Sequence, residues 1–216
     1  MNLKIIISDL MNSITSENLS SILRDSGEVV LDNVLNEGVL HDIPFLNIGV
    51  SAYKFKVEMD YRSFIKKVTS FLKELPNVSH EERQNYVESI EQNPKEKNIF
   101  GEILLLLIDR ADSLEKPSIL GRLLKHHILE NISYDDAMRL SFIVDRVYMS
   151  DLNYLTSFTF GIQSNPNIAA SLQSAGLLNL AGMDGGNLDE PSSGGVFYEL
   201  NDYGKMLLQY GLDSAV

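Results

Sequence analysis

From residue 44 to residue 147 the chain repeats one pattern: a proline or capping residue, apolar residues at helical spacing, then a breaker. Strand signals are nearly absent before residue 176, so a sheet-based fold has little to build on. Pro44 suits the first turn of a helix, where its missing N–H has no partner to lose. Phe45, Ile48, Gly49, Ala52, Tyr53 and Lys56 follow at helical spacing. Phe64, Ile65, Val68, Phe71, Leu72 and Leu75 form a second stripe, which Pro76 ends. Ser79 and Glu82 have the spacing of a capping box, each able to satisfy the other's backbone donor. The helix they open carries Tyr86, Val87 and Ile90.

Asn93 followed by Pro94 is another start. The helix from there to about Ala111 presents Ile99, Phe100, Ile103, Leu104, Leu106, Leu107 and Ile108. It is apolar around most of its circumference and is expected to be central. Pro117 opens the next, with Leu120, Leu123, Leu124, His127 and Ile128 on one side. Ser133 precedes a further helix bearing Ala137, Leu140, Ile143, Val144 and Val147. Residues 12–36 fit two short helices, with Ser16 and Ser26 as caps.

Charge divides the chain in three. Residues 1–60 are net −5, residues 61–150 net −1 and residues 151–216 net −6. A mixed middle is what solvated helix faces produce, and the shift near Ser150 is the natural boundary. The whole chain is net −12 over 216 residues, which argues against a sequence-independent nucleic-acid binder. With no cysteine, disulfides, thiolate metal sites and cysteine nucleophiles are excluded. The N-terminal apolar run is too short for a secretory signal, so a cytoplasmic protein is expected. Residues 39–57 are the longest apolar stretch, but they carry His41, Asp42, Lys54 and Lys56 and read as a buried or amphipathic helix before a membrane span.

The last third changes character. Asn165 and Pro166 start a helix with Ile168, Ala169, Leu172 and Ala175 inward, and Gly176 is placed to end it in a left-handed conformation. Residues 177–180 read as a short strand, residues 182–195 as a glycine- and serine-rich loop, and residues 196–200 as the returning strand. Asn201 or Asp202 then caps a final helix with Tyr203, Met206, Leu207 and Tyr210. Helix, strand, long loop, strand and helix is winged-helix order. "LQSAGLL" followed by "FYELNDYGKMLLQYG" resembles the wording of that family, with Asn201 where a threonine is usual. The expected fold class is therefore mainly α: a helical bundle over residues 1–150 followed by a small winged-helix-like α+β module over residues 151–216.

A second resemblance covers residues 32–155. "LDNVLNEGVLHDIPFLNIGVSAYKFK", "FIKKVTSFLKEL" and "ISYDDAMRLSFIVDRVYMSDLNYL" resemble a group of uncharacterised helical proteins of bacteria and mobile elements, similar in layout to the Abi-alpha abortive-infection type. The resemblance implies a setting in phage defence or a mobile element and carries no catalytic residues.

Each candidate site has a plain alternative. The helix expected to read DNA offers Asn165, Asn167, Ser171, Gln173 and Ser174, and Lys205 is the only base after residue 150. Phosphates would meet Asp184, Asp189 and Glu190, so this segment is expected to contact protein, with Asp184, Asp189, Glu190, Phe197 and Tyr198 as the candidate interaction loop. His126 and His127 point about 100° apart on a helix, the wrong geometry for one metal, and read as one exposed and one half-buried residue. His80, in the capping box, is expected to be exposed. Asp109, Asp112 and Glu115 sit beside Arg110 and Lys116 and read as a solvated helix end. Lys54, Lys56, Arg62, Lys66 and Lys67 are the chain's basic cluster, a candidate for an acidic partner or anionic lipid but more commonly a solvated face. No phosphate-binding glycine loop, nucleophile elbow or metalloprotease motif occurs. The expectation is a non-enzymatic interaction or regulatory protein without a cofactor, binding a protein or itself. A winged-helix transcription regulator and a membrane-acting effector through residues 39–57 are the alternatives.

Overall fold

The computed structural model describes residues 3–19, 23, 44–45, 58–92, 94–160, 165–185 and 195–212. The described chain is mainly helical, with one two-stranded antiparallel sheet near the C-terminus. It divides into two compact units, Met1–Ser133 and Tyr134–Val216.

In the first unit, α1 (Leu3–Ile14), α2 (Glu58–Leu72), α3 (His80–Glu91), α4 (Pro94–Arg110) and α5 (Glu115–Ile128) follow in order. The N-terminal helix departs from the expectation that helix begins near residue 12. Ile7, Leu10, Met11 and Ile14 recur at i, i+3, i+4 and i+7 and are all buried, so the helix runs from Leu3 and ends near where two short ones were expected to start. Ser26 lies outside the described residues. Burying each such side chain is worth roughly 1.5–3 kcal/mol, more than the propensity differences that would set the helix ends.

Every residue of the α2 stripe, from Phe64 to Leu75, is buried. The capping box of α3 is formed. Ser79 Oγ accepts from the Glu82 N–H at 3.2 Å, and the Ser79 N–H donates to Glu82 Oε2 at 2.9 Å. The hydroxyl and amide of Ser79 hold the Glu82 carboxyl below its usual range. α4 packs against α1, α2, α3 and α5, as its apolar surface requires. It is not covered all round: Ile99 and Leu106 are exposed. α5 begins at Glu115 rather than at Pro117. Proline is tolerated there because the first turn's N–H groups have no partner within the helix.

Three charged groups among the described residues are buried in this unit: Arg83, Asp9 and Lys116. Lys116, expected at a solvated helix end, is 3% exposed, and its Nζ stands 3.1 Å from Asp112 Oδ2. Arg83 is 1% exposed and its Nη1 donates to the Ile14 carbonyl at 2.9 Å, so a cation satisfies the C-terminal end of α1. Burial lowers its pKa from the ordinary value. Asp9 is buried on α1, and burial raises its carboxyl above the ordinary range.

The second unit opens with α6 (Tyr134–Arg146), then α7 (Met149–Leu152), a 3₁₀ stretch (Leu155–Phe160) and α8 (Pro166–Ala175). Strands β1 (Leu178–Asp184) and β2 (Gly195–Leu200), helix α9 (Asp202–Met206) and a π-helical turn (Leu207–Gly211) complete it. The division falls ahead of the compositional shift near Ser150. α6 carries the mixed charge of the preceding helices and buries a stripe of Ala137, Leu140, Ile143 and Val144, yet it groups with the later elements. Ile143 lies against Gly176, and the Arg139 guanidinium stands 5.5 Å over the Tyr203 ring. Surface charge reports what faces water, not which core the other face joins.

Candidate functional site

The hairpin and the turn beneath it are built by a few local rules. Asn165 caps α8, its side chain accepting from the Asn167 N–H at 2.9 Å, with Pro166 in the first turn. Gly176 ends the helix at φ 92°, a left-handed conformation that costs a residue with a Cβ far more than glycine. Leu177 and Leu178 then enter the core. β1 and β2 pair Leu178 with Leu200, Asn179 with Glu199, Leu180 with Tyr198, Gly182 with Phe197 and Met183 with Val196, with a bulge between Leu180 and Gly182.

Asn201 ties the base together. Its backbone N–H donates to the Leu177 carbonyl at 3.2 Å, its Nδ2 donates to the Gly176 carbonyl at 2.8 Å, and its Oδ1 accepts from the Gly204 N–H at 2.9 Å. A Cβ on Gly204 would collide with the Leu177 carbonyl, so only glycine lets α9 approach that closely. We expect Asn201→Ala to cost about 1–2 kcal/mol in urea denaturation, since it removes both a cap and the bond that holds Gly176. Asn201→Thr keeps an oxygen for Gly204 but has no amide for Gly176, and should fall between the two.

Paired residues point to the same side of a hairpin. One face therefore carries Leu178, Leu200, Leu180, Tyr198, Met183 and Val196. At its base Leu178 and Leu200 are buried; outward, Leu180 is 54%, Met183 77% and Val196 37% exposed. The apolar stripe that forms the core continues past the core. The opposite face carries Asn179, Glu199 and Phe197, the last 41% exposed. At its base lies an open cleft of about 380 Å³, lined by Phe158, Thr159, Asn179, Glu199, Asn201, Asp202 and Lys205 among others. Lys205 Nζ stands 3.9 Å from Asp202 Oδ1, a loose and largely solvated pair.

Of the candidate interaction residues, Phe197 is exposed on the face of Glu199, and Tyr198 is half-buried on the apolar face with Leu180. Asp184 ends β1, and Asp189 and Glu190 lie outside the described residues. Of the basic cluster, Lys54 and Lys56 also lie outside them; Arg62 is within α2, where Lys66 and Lys67 are half-buried. Lys67 Nζ donates to the Asp109 carbonyl at 2.7 Å, at the C-terminal end of α4, where the helix dipole favours a cation.

The two adjacent histidines are both half-buried, with separate partners, in place of the one exposed and one half-buried residue expected. His126 Nδ1 meets Asn131 Nδ2 at 3.0 Å, and His127 Nδ1 meets the Ile132 carbonyl at 3.1 Å while its ring stands edge-on to Tyr86. His80 is likewise half-buried rather than exposed. Among the described residues, no group of three or more acids and histidines is placed to hold a metal. No described helix is long and apolar enough to cross a membrane. Phe45, within the apolar stretch 39–57, is buried, with its ring 6.0 Å from Phe64 and its N–H donating to Ser13 Oγ at 2.8 Å.

The cleft residues Thr159, Asn179, Glu199 and Asp202 escape sequence reasoning, because they come together from three separate segments with no motif spacing. Compared with protein-family models, with curated proteins and with solved structures, the chain matches none.

Proposed function

We propose that the second unit is a winged-helix-like module turned to protein contact, and that the chain is a non-enzymatic interaction or regulatory protein. The observation that carries this reading is the apolar hairpin face: Leu180, Met183 and Val196 extend the core stripe into solvent, where burial against a partner would remove them from water. Phage defence or a mobile element is the setting implied by the resemblance, and it enters on that ground alone.

Charge supports protein over DNA. Residues 134–216 hold three bases, Arg139, Arg146 and Lys205, against ten acids. α8, which would face the duplex in a DNA reader, has no Lys, Arg or His. Arg139 is stacked on Tyr203, and Arg146 Nε donates to the Phe142 carbonyl at 3.3 Å.

The test compares affinity capture by the tagged native chain with capture by Leu180→Asp/Met183→Asp. These positions are exposed, so both proteins should melt alike. The native chain should recover a stoichiometric protein, and the variant at least about tenfold less, the equivalent of about 1.4 kcal/mol. Equal recovery by both would overturn the reading. So would a duplex-DNA shift at low salt, where electrostatic binding is strongest.

A further inference from the structure

The cleft at the base of the hairpin has its own chemistry, distinct from the apolar face. Its walls carry the carboxylates of Glu199 and Asp202 against the single ammonium of Lys205, and the amide of Asn179 stands directly across from Glu199. Lys205 is 58% exposed and too far from Asp202 for a tight pair, so it can swing aside at little cost. Phe197 lies two residues from Glu199 on the same strand, hence on the same face and about 7 Å along it. An exposed aromatic ring next along the same face from a carboxylate suits a planar cation, which can stack on the ring while its N–H groups reach the oxygens.

We propose that the rim of this cleft receives an arginine side chain from a basic protein segment, its guanidinium on Glu199 with the exposed Phe197, next along the same face and outside the lining, beside it. The inference rests on the protein-contact reading and names the partner's chemistry. Charge complementarity selects the occupant. The unit is net −7 and the chain net −12, so a second copy would bring like charge to the cleft, while a basic segment brings the opposite sign. Lysine fits less well, because a compact ammonium gains little from a flat ring and cannot bridge two acceptors in a fork.

The probe is an acetylated, amidated peptide of alternating leucine and arginine, titrated into the isotope-labelled full chain and followed by amide NMR. Peptides with lysine or glutamate in place of arginine are the comparators. Saturable shifts should centre on Asn179, Phe197, Glu199 and Lys205, with arginine tighter than lysine and glutamate inert. Glu199→Gln/Asp202→Asn should weaken the arginine peptide at least about tenfold. Phe197→Ala should weaken arginine more than lysine. These are exposed side chains, and matching thermal melts keep the comparison valid.

No saturable shift, equal binding of the glutamate peptide, or indifference to the double variant each overturns the proposal. Concentration-dependent dimerisation abolished by Glu199→Gln/Asp202→Asn also overturns it, since the occupant is then a second copy. If the arginine peptide fails while Leu180→Asp/Met183→Asp still loses its captured protein, the cation claim falls and the apolar contact stands. If the peptide binds and capture is unchanged, the reverse holds.

Discussion

Gly121→Val should lower the unfolding free energy by about 3 kcal/mol or more, the upper end for overpacking a close contact. α2 and α5 form the most extensive helix pair among the described elements, and Gly121 sits at their crossing. A Cβ there collides with the Phe71 carbonyl and approaches Glu74 Cβ to 2.9 Å. Two effects compete. Replacing a mid-helix glycine by alanine gains roughly 0.5–1 kcal/mol of backbone entropy and propensity. The clash outweighs it, because the atom in the way is backbone on a buried helix and cannot step aside as a side chain can. Gly121→Ala should therefore also destabilise, by less than valine. Gly101→Ala is the comparison: its obstacle is the Ile7 side chain, so the loss should be smaller and partly relieved by Ile7→Ala. Urea denaturation measures all three. A Gly121→Ala protein as stable as the native chain would show that α2 and α5 are not seated so closely.

Arg83→Ala should cost about 3–5 kcal/mol, comparable to truncating a large core residue. Arg83 is among the largest side chains that are fully buried, and its removal does three things. It leaves a cavity, it strands the Ile14 carbonyl away from water, and it takes a cation from the C-terminal end of α1. Arg83→Met separates these, since methionine keeps most of the volume and none of the charge. If packing dominates, methionine should recover more than half of the loss. If the carbonyl and dipole dominate, it should recover little. Near-native stability of both variants would sink the assignment of Arg83 as the residue that closes α1.

How much of this was legible depends on the range of the interaction. The Ser79–Glu82 box, the Asn165 cap with Pro166, and the left-handed Gly176 could each be read directly, because both partners lie within a few residues and the geometry follows from the backbone alone. The two strands and the Asn201 cap were legible for the same reason, although β1 runs to Asp184, further than its apolar start suggested. α1 was legible in principle, from the spacing of Ile7, Leu10, Met11 and Ile14, but the consecutive Ile5, Ile6 and Ile7 blur that period, since an unbroken apolar run has no helical spacing of its own.

The division between units shows the opposite case. The compositional shift near Ser150 reflects what faces solvent, while α6 joins the second unit through Ile143 and Arg139. Arg83 gave no sign of burial, because arginine at an amphipathic helix position reads as solvated until the end of another helix is placed over it.

By itself the sequence determined the helical class, most helix starts and stops, the hairpin, and the acidic character that argues against a phosphate partner. These are set by local backbone preference, period and summed charge, none of which needs a tertiary partner. Only the tertiary structure decided which helices share a core, that Gly121 and Gly204 are points of closest approach, and that Thr159, Asn179, Glu199 and Asp202 line one cleft. Those facts depend on distances between segments far apart in the chain, and such distances follow from how whole faces pack together.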